Sequence, residues 1–240
     1  MGADEAILEA PVARRLPDPA PKATVSVSVP APRPVVALSP TLGEAASLAA
    51  AASSLEELRE AMAGFTGSSL RDTATNLVFS DGVVGAGTMI IGEAPGAEED
   101  RQGKPFVGAS GQLLDRMFAT IGLSRSENLY ITNILPFRPP GNRTPTDAEV
   151  ALFMPFLMRH LELARPKRLV LAGAVSAKGL LRTRDGITRL RGKWQQVTMA
   201  NGQVMDALPM LHPAYLLRNP IAKREAWADL VLLRRAINDG

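Results

Sequence analysis

The chain has 240 residues, 46 % of them hydrophobic, with 27 basic and 24 acidic side chains and a formal charge of +3. That length supports one sizeable core plus a tail, and a charge this close to zero permits nucleic-acid binding without demanding it. No apolar run approaches the ~20 residues of a membrane span, Met1-Gly-Ala-Asp-Glu lacks the basic-then-apolar order of a secretory signal, and zero cysteines exclude disulfides.

Residues 1–43 carry eight of the nineteen prolines, and their four acids and four bases cancel. A Pro-rich stretch with neither helical nor strand period cannot bury enough surface to offset its ordering entropy. It is therefore expected to be a disordered arm, with residues 44–240 forming one domain. The pattern turns helical from Gly43, and Ser54-Leu-Glu-Glu has the form of a capping box that opens a helix over 55–63. Strands are expected near 75–79, 88–92, 129–133, 168–172 and 208–211. Helices are expected near 55–63, 110–121, 146–162, 173–181 and 221–237. Alternating strands and helices predict an α/β fold: a three-layer α/β/α sandwich around a mostly parallel sheet of four to five strands. Arg191-Gly-Lys-Trp-Gln-Gln-Val-Thr-Met followed by Asn201-Gly202 reads as the first arm and turn of a hairpin.

The densest cluster of chemistry runs from Ile90 to Asp115. An apolar run leads into Gly92-Glu-Ala-Pro-Gly96, then into Glu98-Glu-Asp100, then into Gly103-Lys-Pro-Phe106-Val-Gly108 and a new helix. In an open α/β sheet, ligands sit just beyond the carboxyl ends of strands. An acid, an aromatic plate and a helix N-terminus would thus converge on one place. Two further segments occupy similar positions. Leu129-Tyr-Ile-Thr-Asn133 leads into Arg138-Pro-Pro-Gly-Asn-Arg143, and Leu211-His-Pro-Ala-Tyr-Leu-Leu-Arg218 stands near the C-terminus. Gly103-Lys-Pro lacks the remaining residues of a P-loop, and Gly108-Ala-Ser-Gly-Gln112 lacks the last glycine of a nucleophile elbow. Two histidines without close ligand spacing argue against a histidine metal site.

In order and spacing, across roughly residues 55–235, these three motifs resemble the uracil-DNA glycosylase superfamily, most closely its family 4. The resemblance implies a monofunctional DNA-repair glycosylase. It would flip uracil out of DNA, hydrolyse the N-glycosidic bond and leave an abasic site, with other deaminated bases admitted because Gly96 keeps the turn small. The rival reading is a non-catalytic protein that holds uracil or damaged DNA. A nucleoside hydrolase is a weaker third, disfavoured by the Arg-rich loop. Uracil-containing DNA, single- or double-stranded, is the expected partner of a monomeric, cytoplasmic protein, nucleoid-associated if bacterial.

The resemblance also assigns roles. Phe106 would stack on the base. Asn133 would read its edge, since an amide offers a donor and an acceptor together. Gly92, Ala94, Gly96 and Glu99 would complete the base pocket, with Glu99 walling off the space beside C5. Glu98 to Asp100 could instead be a solvated run at a helix start. His212 would donate to O2 of the departing base. Glu93 or Asn142, with Asn142 slightly ahead, would place the water. Arg138, Arg143, Arg189, Arg191, Gly192 and Lys193 would grip phosphates, and Tyr215, Leu216, Leu217 and Arg218 would form a wedge filling the gap in the stack. Family 4 members hold an iron–sulfur cluster on four cysteines. Here Phe65, Ser68, Phe137 and Phe153 stand at those positions. No cofactor is expected, and a hydrophobic plug is expected in its place.

Overall fold

The computed structural model describes residues 40–239, so the expected disordered arm lies outside the described residues up to position 39. Helix α1 (Pro40–Ala51) already occupies the last part of the arm as it was drawn from sequence. Helices α2 (Leu55–Gly64) and α3 (Leu70–Thr73) follow. The cap of α2 is shared: Ser54 accepts the Glu57 N–H, but the Glu57 carboxylate returns to the N–H and hydroxyl of Ser53.

Six strands form one sheet: β1 (Ser80–Gly82), β2 (Thr88–Gly92), β3 (Leu129–Asn133), β4 (Arg168–Ala172), β5 (Gln195–Thr198) and β6 (Val204–Met210). Their order is β1-β3-β2-β4-β6-β5. The central four run parallel, and β1 and β5 pair antiparallel at the edges. The sheet thus has six strands, not four to five. The expected hairpin supplies β5, with Asn201-Gly202 at its turn.

The segment 75–79 is not a strand. Asp100 accepts the backbone N–H groups of Thr75 and Asn76, and the Asn76 amide donates to the Asp100 carbonyl. These bonds tie the segment to α4 (Ala97–Gln102) and delay sheet pairing until Ser80.

Helices cover both faces, as buried parallel strands require. On one face Met89, Ile91, Leu169 and Leu171 pack with α2, α6 (Asp147–Ala164) and α7 (Ala174–Leu181). On the other, Ile90, Ile131, Val170 and Leu208 pack with α5 (Ala109–Ala119) and α10 (Lys223–Asn238). Alternate residues of one strand feed opposite layers, the period-2 rule of a strand. Two short helices, α8 (Ile187–Leu190) and α9 (Pro213–Arg218), complete the fold. No described helix is long and apolar enough to cross a membrane.

The three phenylalanines expected to pack together do so. Phe65, Phe137 and Phe153 are all buried, and the Phe153 ring meets the other two edge-on, with centroids 6.1 and 6.0 Å away. Phe156 joins them, 5.5 Å from Phe65. Ser68 is buried beside α3 and caps the Leu70 N–H.

Candidate active site

The carboxyl ends of β2, β3 and β6 deliver Glu93, Asn133 and His212 to one cleft of about 420 Å³. The turn after β2 and the start of α4 contribute Ala94, Gly96 and Glu99. The loop before α5 contributes Phe106, and the loop after β3 contributes Asn142 and Arg143. Tyr215 and Arg218 of α9 stand at the same cleft. Gly92 lies beneath it: a Cβ there would collide with the Asn133 amide and the Phe106 ring, so glycine lets these two groups close on the strand end.

Phe106 is 4 % exposed and adopts φ 54°, a left-handed backbone that a bulky residue keeps only when its surroundings force it. Three neighbours do so. Arg125 donates to the carbonyls of Pro105 and Phe106 and pairs with Asp81 and Asp115. Glu99 accepts the N–H groups of Val107 and Gly108, each at 2.9 Å. Gly111 leaves room for the Phe106 carbonyl, which any Cβ would strike. Glu99 and Asp100 are both buried, so of the acidic run only Glu98 is solvated. Glu99 lines the cleft and also holds the aromatic loop.

Asn133 is 6 % exposed, and its Oδ1 is buried with no hydrogen-bond partner among the described residues. Leaving a buried acceptor unmatched costs about 1–3 kcal/mol, so this atom awaits a donor from outside the chain. It is not spent on its own turn.

His212 caps α9: its Nδ1 accepts the Ala214 N–H at 3.1 Å. A ring nitrogen that accepts carries no proton, so the neutral imidazole presents Nε2–H. Burial, seconded by the nearby charge of Arg218 and opposed by Glu99, pushes its pKa down to about 4. The ring stays neutral at ordinary pH.

Glu93 is half-buried, and burial raises its pKa above the usual carboxylate value. Asn142 sits at φ 55°, which asparagine tolerates. Arg138 donates from Nε to Asn142 Oδ1 at 2.7 Å. That bond engages one lone pair of the amide oxygen and leaves the amide nitrogen to face other partners. Arg138 itself does not line the cleft.

Several residues expected to bind DNA are engaged elsewhere. Leu216 is fully buried against Leu113, Leu211 and Ala226 and cannot be a wedge; its neighbours Tyr215 (39 % exposed) and Leu217 (42 %) are the available ones. In a one-turn helix, alternate positions cannot all face outward, which the sequence run Tyr-Leu-Leu-Arg hides. Arg191 forms a bidentate pair with the buried Asp229 and also reaches Glu225, so its guanidinium is a structural one. Gly192, in the left-handed region at φ 75°, and the exposed Lys193 lie outside the cleft wall. Arg143 lines the cleft but is held by Glu149, whose carboxyl the pair draws down to about 2. Ser110, Pro139, Thr144 and Ala214 also line it and have no distinguishing sequence signal. Arg125 escaped notice because its partners lie 10 to 44 residues away in the chain. Among the described residues, no group of three or more His, Asp or Glu side chains could hold a metal ion.

The model of the uracil DNA glycosylase superfamily matches residues 79–231. A type-4 uracil-DNA glycosylase of Pyrobaculum aerophilum is 37 % identical over 182 residues, 74 % of this chain and 92 % of that protein. One of Archaeoglobus fulgidus is 41 % identical over 164 residues, 67 % of this chain and 81 % of that protein. One of Thermotoga maritima is 36 % identical over 169 residues, 69 % and 84 % respectively. The matched span begins ahead of β1, runs into α10 and takes in the whole cleft, and the chain belongs to the uracil DNA glycosylase superfamily, alongside its type-4 members.

Proposed function

We propose that this cleft receives a uracil flipped out of DNA and hydrolyses its N-glycosidic bond, releasing free uracil and leaving an abasic site. The observation that carries the reading is the unpartnered Oδ1 of Asn133, buried in a cleft that His212 also lines with a neutral imidazole donor. Uracil N3–H supplies the donor that Oδ1 lacks, and the amide N–H₂ donates to O4. Cytosine presents the reverse pattern and would leave both unmatched. The base lies against Phe106.

As the bond from C1′ to N1 breaks, its electron pair moves into the ring, and negative charge grows on O2. His212 Nε2–H donates to that oxygen. A preorganised neutral donor of this kind contributes about 2.7–4 kcal/mol. Water then adds to C1′ of the sugar cation. Arg138 donates to the Asn142 oxygen, which orients the amide so that its N–H₂ can donate to that water, and Glu93, a carboxylate, accepts the proton. Of the two water-placing candidates, this geometry favours Glu93 as acceptor with Asn142 as orienting donor.

A protein that merely holds flipped uracil would need no water site. Glu93 and Asn142 both standing at the cleft favour turnover. No step runs through an iron–sulfur cluster. The chain has no cysteine, clusters need thiolate ligands, and packed phenyl rings fill the positions where the family resemblance puts the ligands. We infer that the aromatic plug takes over the packing that a cluster would give.

The deciding experiment is an oligonucleotide carrying one uracil, incubated with the protein and treated with alkali. Strand shortening at the uracil is expected. Tight uracil-dependent binding without shortening would favour the holding reading instead.

A further inference from the structure

A second groove opens on the flank of the molecule between α5 and α10. Arg116, Met117 and Thr120 form one wall; Lys223, Trp227 and Leu230 form the other, around about 200 Å³. Trp227 is 51 % exposed, unusual for the largest side chain in a domain with ample core. Neither Arg116 nor Lys223 has an ion-pair partner among the described residues, and no acid lines the groove.

The groove shares α5 with the active cleft. Ser110, in the first turn of α5, lines the cleft, and Arg116 lies six residues further along the same helix, about 9 Å by the helical rise. From the other side, α9 carries Tyr215 and Arg218 at the cleft, with Leu217 exposed between them, and leads, through the 88 % exposed Ile221, to Lys223. Leu217, Arg218, Ile221 and Lys223 are thus exposed apolar and basic side chains along the chain between the cleft and Trp227.

We propose that this groove is a DNA subsite: one unpaired base flanking the uracil stacks on Trp227, with its phosphates against Arg116 and Lys223. An indole face with two unpaired cations matches a nucleobase between phosphates. The base must be unpaired, because a base within a duplex has its faces already stacked. The proposal rests on the chain acting on DNA, and it makes the enzyme a reader of single-stranded flanks.

The test uses single-stranded oligonucleotides with one uracil on a 2′-fluorinated sugar, which resists cleavage, and flanks lengthened one nucleotide at a time on either side. For the parent, lengthening one flank to about four nucleotides should tighten binding about five- to one-hundred-fold, the range for one base–aromatic stack. That gain should come with quenched tryptophan fluorescence. Trp227→Ala should lose the gain, Trp227→Phe should keep most of it without the quenching, and Arg116→Glu should weaken it. Annealing a complement to the flank should abolish it. The proposal is overturned if Trp227→Ala shows the parent's flank dependence, if neither flank tightens binding, or if a duplex flank does equally well; the groove would then be left to a protein partner. Uracil release that ignores the flanks would overturn the subsite alone and leave the proposed activity standing.

Discussion

The imidazole of His212 lies against the ring of Phe106, with centroids 5.5 Å apart and planes 30° off parallel. One comes from the end of β6 and the other from the loop before α5, so two elements distant in sequence build one wall. The plate that would hold the base and the donor that would take up its charge are in van der Waals register. The backbone clamps on Phe106, from Arg125 and Glu99, therefore also fix where a base sits relative to His212.

His212→Ala should lose chemistry more than binding. The bond to O2 strengthens as the base becomes anionic, so it acts mainly in the transition state. Single-turnover uracil release should fall roughly 10²–10³-fold, while affinity for uracil-DNA changes far less. A variant that cuts at the parent rate but binds weakly would make His212 a binding residue.

Asn133→Asp should lower uracil release by about two orders of magnitude or more. An ionised carboxylate still accepts from N3–H but cannot donate to O4, which leaves O4 and one carboxylate oxygen both unmatched at a cost of about 1–3 kcal/mol each. Release of cytosine should rise from the parent's background. Parent-like kinetics on uracil in the variant would remove Asn133 from base recognition.

Much of this was legible in the chain. The apolar runs ending in Gly92, Asn133 and His212 announce parallel strands aimed at one edge, because a buried parallel strand reads as a continuous apolar run. The phenylalanine cluster was legible because three of the four positions at which the family resemblance implies thiolates are phenylalanines here. What stayed hidden depends on long-range partners. The Asp100 carboxylate that diverts residues 75–79 from the sheet is 24 residues away, and Arg125 clamps a loop 19 residues upstream. Leu216 and Arg191 look like DNA contacts from composition, and only packing reveals that one is core and the other neutralises Asp229.

The aromatic plug should behave as core. Phe153→Ala should cost about 3–5 kcal/mol, the usual range for a buried phenylalanine. Phe137→Ala should cost less, since the Phe153 ring contacts three others and that of Phe137 only one. Purified protein should be colourless and free of iron by metal analysis. Stoichiometric iron with broad visible absorbance would overturn the plug.

Buried histidines should make the fold acid-sensitive. His160, stacked on Phe79 with centroids 4.4 Å apart and hydrogen-bonded to Tyr130 at 2.9 Å, has its pKa pushed down to about 3 by burial. An unfolded histidine titrates near 6.5, so between about pH 6.5 and 3 the unfolded chain binds the extra proton. Stability from this group is full above 6.5 and lost as pH falls to about 3, on the order of a few kcal/mol. Asp229, raised by burial to about 6, works in the opposite sense. The comparison of melting temperatures must therefore be His160→Phe against parent across that range. Tyr130 keeps its bond to Ser80 in the variant. The variant should lose less stability than the parent on acidification; parallel curves would remove His160 as the cause.

The pH dependence of cleavage tests which side chain takes the water's proton. Glu93 can accept only when ionised, and burial lifts its pKa above 4.5. Parent activity should therefore fall as pH drops through that raised value, a limb that His212, titrating near 4, does not produce. Glu93→Gln should slow uracil release by about 10²-fold, the low end for a general base, because a sugar cation needs little push from its nucleophile. It should also flatten the acid limb. Asn142→Ala should slow release as well but keep the limb, since an amide does not titrate. Arg138→Ala should resemble Asn142→Ala more weakly, because it frees the amide to turn without removing it. If Glu93→Gln keeps both the parent rate and its acid limb, Glu93 is a bystander and the water is placed by Asn142 alone.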